Sequence, residues 1–240
     1  MKKTAIILLT LFAITFLTSC GAMRNRRATT DTGVIINGVH WATRNVDAPG
    51  TFVRNPEDAG MLFQWNRKKA WSTTNEEVTG WLNRLRNRNR ETEWDTSIPE
   101  GTTWERVNDP CPPGWRVPTE AEFYSLKNTI SIWTTKNGVN GRLFGTAPNQ
   151  LFLPAAGWRD SAGGFGFANT HGGYWSNTQG ISASEEELAY LDLDDSDLVD
   201  MLRQGNILFA RDFVFTAVDY LVNILNSNRE RGFTIRCVAK

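Results

Sequence analysis

The chain has 240 residues, of which 40% are hydrophobic and 22% charged, a balance that excludes wholesale disorder. Lys plus Arg equals Asp plus Glu at 26 each, so the domain is not basic and general nucleic-acid binding is not expected. Only two histidines are present, which excludes any three-histidine metal site, and no metal or other cofactor is expected.

Residues 1–20 carry Lys2 and Lys3 and then an apolar run from Ala5 to Leu17. This is the pattern of a secretory signal peptide, too short to span a bilayer comfortably. It closes on Leu17-Thr18-Ser19-Cys20, a bacterial lipobox. Cys20 is therefore expected to be acylated, with palmitate-type chains, and to become the new N-terminus. Each buried CH₂ is worth about 0.8 kcal/mol, so three chains anchor firmly. Gly21 follows the cysteine, where Asp would suggest inner-membrane retention. The expected location is the outer membrane, on its periplasmic face or at the cell surface. Residues 21–32 read as a polar tether. Loss of Lys2 and Lys3 leaves 24 basic against 26 acidic side chains.

Short strands and Gly/Asn turns dominate the chain beyond the tether. Val34-Ile35-Ile36 and Val39-His40-Trp41 flank Asn37-Gly38, a strong hairpin turn signal. Met61–Trp65 reads as a short strand, and 66–109 as polar and irregular. Pro118-Thr119-Glu120-Ala121-Glu122 predicts a helix capped by Thr119 with Glu122 closing a capping box. Phe123, Leu126, Ile130 and Trp133 then share one helical face. Leu143-Phe144, Leu151–Leu153, Tyr174–Ser176, Leu188–Leu193 and Phe233–Val238 read as strands. The Gly/Ser-rich stretch 160–173 is a surface loop, and Asp194–Gln204 a helix. Residues 33–240 are read as one domain.

Lipidation of Cys20 leaves Cys111 and Cys237, an even pair in an oxidising compartment. One disulfide is the simplest outcome, and two separate buried thiols the alternative.

Several blocks together resemble a known family: NGVHWATRNVDAPGTF (37–52), EDAGMLFQWNRKKAW (57–71), DPCPPGWRVPTEAEFYSL (109–126), LFLPAAGWRDSAGG (151–164) with GGYWSNT (172–178), and RGFTIRCVAK (231–240). They look like the Fibrobacter succinogenes major paralogous domain of exported bacterial proteins, over about 34–239. In that family a cysteine before the Pro-Gly-Trp element commonly accompanies one in the final strand, which supports pairing Cys111 with Cys237. The stretch 179–230 is longer than the family's usual hairpin, with an apparent insertion around 194–215. The RVPTEAEF block and the GFTIR ending are also distantly similar to the formylglycine-generating enzyme and C-type lectin-like fold group. The resemblance implies an α+β, C-type lectin-like fold: a small twisted antiparallel sheet, one or two helices and long irregular loops.

Catalysis is not expected. The two mature cysteines are taken by the bridge, and His40 and His171 sit in a strand and a Gly-rich loop with nothing to place them together. The expected function is a non-catalytic, lipid-anchored envelope protein whose domain binds a glycan or protein ligand. The alternative is a structural or accessory subunit of a surface fibre or envelope complex. Sugars stack on open aromatic faces, so Trp158, Tyr174 and Trp175, flanking the 160–173 loop, are the candidate ligand-binding residues. The alternative reading of Trp158 and Trp175, as of Trp65 and Trp115, is core, while Trp71, Trp81, Trp94 and Trp104 lie in irregular sequence and are the stronger candidates for exposure. Eight acidic side chains between Glu185 and Asp200 lack a Ca²⁺-loop pattern and read as a solvated face. Arg84, Arg86, Arg88 and Arg90 read as a solvated series.

Overall fold

The computed structural model describes residues 30–74, 80, 81, 90, 91, 93–180 and 209–240. Cys20, most of the tether, the arginines at 84–88, the acidic run, and the strand and helix expected over 188–204 lie outside these residues. In chain order the elements are β1 (Val34–Ile36), β2 (Val39–Trp41), β3 (Leu62–Phe63), β4 (Ala70–Trp71), β5 (Gly80–Trp81), β6 (Arg90–Glu91), β7 (Trp115–Arg116), α1 (Glu120–Lys127), β8 (Ser131–Lys136), β9 (Val139–Thr146), β10 (Asn149–Pro154), β11 (Trp158–Arg159), β12 (Phe165–Gly166), β13 (His171–Gln179), β14 (Phe209–Thr216), β15 (Asn223–Asn228) and β16 (Val238–Ala239). A 3-10 turn at Asp219–Leu221 joins β14 to β15. This is an α+β arrangement of small sheets, every strand pair antiparallel, with one short α-helix among the described residues.

The local signals act as expected at two places. Asn37 and Gly38 take φ of 49° and 79°, the left-handed pair that matches a two-residue turn to strand twist, and β1 pairs with β2 across it. The Thr119 side chain accepts from the Glu122 N–H at 3.2 Å, and the Glu122 carboxylate accepts from the Thr119 N–H at 2.7 Å. Glu122 also takes both prongs of Arg116, at 2.9 and 2.6 Å, which ties the helix start to β7. These contacts hold its carboxyl below the ordinary range despite the burial that opposes them.

The helix stops sooner than the apolar spacing suggests. It ends at Lys127, and only Phe123 and Leu126 of the expected face are buried in it. Ile130 is 71% exposed, and Trp133 belongs to β8. The reason is local: Ser131–Lys136 is rich in β-branched residues and runs into Asn137-Gly138, a second left-handed turn with φ of 48° and 83°. The strands β8, β9 and β10 then form a meander. The far end of the stretch read as an apparent insertion is a strand. Phe209–Thr216 is the middle strand of the sheet β13-β14-β15, and Phe213 and Phe215 are core residues.

Two apolar clusters result. One gathers Phe63, Trp65, Trp115, Trp175 and Phe233, with Cys237 among them. The other gathers Trp41, Phe123, Phe144, Tyr174, Phe213 and Phe215. Cys111 and Cys237 are joined by a disulfide that closes a sequence separation of 126 residues and secures the chain end, whose strand β16 lies between β2 and β7. Chain-entropy arguments value such a bridge at about 4–5 kcal/mol.

The GGYWS block shows why two glycines precede two aromatics. A Cβ on Gly172 would meet the Phe215 ring at 2.2 Å, and one on Gly173 would meet Phe233 at 2.7 Å. The rings lie directly against bare backbone.

Candidate functional site: an aromatic corner beside β11 and β13

The loop 160–173 is more ordered than its composition suggests. β12 lies within it and pairs with β11 just before it, and the turn between them is closed by Asp160, whose Oδ1 accepts from the Ala162 and Gly164 N–H groups at 3.0 and 2.8 Å. Beneath it Arg159 is buried and donates to Ser72 O, Ser72 Oγ, Thr74 O and Gly163 O. Five guanidinium donors in a fixed fork suit this task of gathering carbonyls from separate loops.

After β12 the chain turns through Phe167 and returns at His171. Phe167 has φ of 65°, a region that bulky L-residues rarely occupy. Its carbonyl is held by three donors: the Thr170 N–H at 3.1 Å, the His171 N–H at 2.9 Å and the Thr170 hydroxyl at 2.7 Å. The Asn169 N–H donates to Ala155 O, and the Gly157 N–H to His171 O. The turn is thus fixed from both sides while its one large apolar side chain stays 53% exposed.

That side chain completes an aromatic group. The Phe167 and Trp158 rings stack with centroids 4.5 Å apart and an interplanar angle of 24°. His171 stands edge-on to both, at 5.5 and 5.1 Å, and Phe233 supports Trp158 from below at 5.7 Å. Trp158 is half-buried, with one face taken by Phe167. The free ring of the corner is Phe167.

His171 has a definable hydrogen-bond state. Its Nδ1 lies 3.0 Å from the Thr170 hydroxyl, whose only proton goes to Phe167 O. Nδ1 is therefore the donor, and Nε2 is left as an acceptor. Desolvation pushes the ring's pKa down, which favours this neutral form. Beside it Asn169 is exposed, and its amide nitrogen takes part in no hydrogen bond among the described residues. The corner presents an apolar ring, an acceptor and an amide donor together.

The other candidates fall elsewhere. Tyr174 and Trp175 are both 0% exposed, so neither offers a face to a ligand; the expectation that they bind one is corrected. Consecutive strand residues point to opposite sides of β13, and here both sides are core. Trp65 and Trp115 are buried as expected. Trp71 and Trp104 are buried as well, Trp104 against Trp65 and Trp71 against Trp94. Trp94 is half-buried and packs on Trp71 at 4.7 Å. The Trp81 side chain lies outside the described residues. His40 packs on Trp115 at 5.4 Å, in a different element from His171. Phe167 was missed because nothing in a run of Gly, Phe and Ala marks which aromatic ends outward.

Among the described residues no group of three or more His, Cys, Asp or Glu side chains is placed to hold a metal, and no helix is long and apolar enough to cross a membrane. No family model, curated protein or solved structure matches the chain.

Proposed function

We propose that this is a lipid-anchored cell-envelope protein whose domain, of the C-type lectin-like kind that the sequence blocks resemble, binds glycan without catalysing a reaction. The observation that carries this reading is Phe167: an exposed ring held in an unfavourable backbone conformation, backed by Trp158 and flanked by polar groups. Strain of this kind persists where the surroundings over-determine it, and it clusters at sites of function. A pyranose has an apolar face for the ring and hydroxyls for His171 Nε2 and the Asn169 amide. The lipobox at Cys20 and a disulfide of the kind that forms in oxidising compartments support the envelope location.

The test is a broad glycan array probed with the protein and with Phe167→Ala. Saturable binding that Phe167→Ala abolishes supports the reading; an array without signal from folded protein overturns it. Loss of labelled palmitate in Cys20→Ala tests the anchor.

A second reading, an accessory subunit of a surface fibre or envelope complex, draws on one observation. β8 is an edge strand of six residues, and Ile132 on it is 62% exposed. Such edges accept added strands. Cross-linking from position 132 to another envelope protein would favour it.

A further inference from the structure

Two cavities open side by side along the loop from Trp104 to Asp109. One, of about 340 Å³, lies over Trp104 and is walled by Arg106, Asp109, Arg116, Asn177 and Lys240. The other, of about 610 Å³, includes Asn66, Lys68, Glu100, Glu105 and Asn108. Asn66 braces the shared loop: its Oδ1 accepts from the Glu105 N–H at 2.7 Å and the Asn108 amide at 3.3 Å, and its own amide donates to Glu100 O at 2.8 Å. Lys68 in the second cavity is close enough to act on the Asp109 carboxylate in the first. The two cavities share the 104–109 loop as a common wall and are together termed the groove.

Its charges are unequally committed. Arg116 is held by Glu122 through two hydrogen bonds, and Arg67 by Asp95 and Ser97. The Asp109 oxygens accept from the Cys111 and Val117 N–H groups at 2.9 and 3.4 Å. Lys68, Arg106 and Lys240 are exposed and make no ion pair among the described residues. Between them stand amides and the exposed carboxylates of Glu100 and Glu105.

We infer that this groove binds an acidic glycan, a chain of pyranose units some of which carry carboxylates. The three uncommitted cations suit the carboxylates. The amides and glutamates suit hydroxyls, which need acceptors as well as donors. A DNA strand lacks the ring hydroxyls that would pair with the glutamates. It also finds no stacking platform, because Trp104 is only 7% exposed. The groove is built from other residues than the Phe167 corner and does not depend on it.

Isothermal titration with oligogalacturonate and oligoalginate tests this, against their methyl esters and a single-stranded DNA of similar charge. At least one acid form should bind, about tenfold more weakly when salt rises from about 50 to about 300 mM. Lys68→Ala combined with Arg106→Ala should weaken binding at least about tenfold at an unchanged melting temperature, since both side chains are exposed. Phe167→Ala should leave it unchanged, which separates this groove from the aromatic corner. Absence of binding to both acids, equal binding of the esters or of DNA, or full binding by the double variant overturns the inference.

Discussion

Tyr174 and Trp175 are neighbours in sequence and point into different cores. The Tyr174 hydroxyl donates to Pro154 O at 2.8 Å on one side of β13, and the Trp175 indole N–H donates to Phe63 O at 2.8 Å on the other. Both rings are closed off from solvent and both polar tips are satisfied, so β13 couples the two clusters. Trp175→Ala should therefore act on stability. A loss of about 3–5 kcal/mol in urea unfolding is expected. A variant of native stability would show that the cluster does not depend on this ring.

Phe167 should behave in the opposite sense. Glycine adopts φ near 65° without strain, whereas an L-residue there costs about 1–2 kcal/mol. The lost stacking on Trp158 offsets this gain. Phe167→Gly should keep stability within about 1 kcal/mol of the parent while losing the glycan binding assigned to the aromatic corner. A melt that collapses with the substitution would make Phe167 a structural residue.

Asp212 makes stability depend on pH. It is fully buried on β14, and neither oxygen has a hydrogen bond of good geometry. Burial raises its pKa to about 7, partly offset by the Ser227 hydroxyl, diagonal to it on β15, and the Arg231 charge. Between its unfolded value and about 7, the folded state holds a proton that the unfolded chain has lost. Its contribution is present in full below about pH 4 and falls as pH rises to about 7, by up to about 4 kcal/mol. Asp212→Asn should flatten that slope and stabilise the protein at pH 8. A slope identical in the variant would assign the pH dependence to other groups.

The disulfide should contribute strongly, because it ties the middle of the chain to its final strand. Cys111→Ser with Cys237→Ser should lower stability by about 2–5 kcal/mol. Calorimetry of the reduced protein should give the same direction.

Gly172 is a steric requirement. Its added methyl in Gly172→Ala would collide with the Phe215 ring, itself core, so a loss of about 1–3 kcal/mol is expected. Adding Phe215→Leu should recover part of it, since the smaller side chain can give way.

Local rules were readable without coordinates. Asn-Gly turns, the Thr119–Glu122 capping box and the pairing of Cys111 with Cys237 each depend on a few neighbouring residues or on simple counting, and each has its expected form in the structure. The reading failed where period-3.6 spacing was extended past Lys127, although Asn137-Gly138 carried a strand signal of its own.

Whether an aromatic side chain lies inside or outside was not readable from its neighbours in sequence. Ten tryptophans announced that aromatic surface matters here. The pairing of β13 with β14 put Tyr174 and Trp175 between two cores, and Trp104 and Trp71 are buried against Trp65 and Trp94. Phe167 was left outward by a turn held through contacts with Ala155 and His171. Sequence alone determined local turns, caps and cysteine parity, because those follow from short-range backbone chemistry. Burial depends on which distant segments meet, so the tertiary structure alone decided that rings such as Trp175 are core and that Phe167 faces solvent.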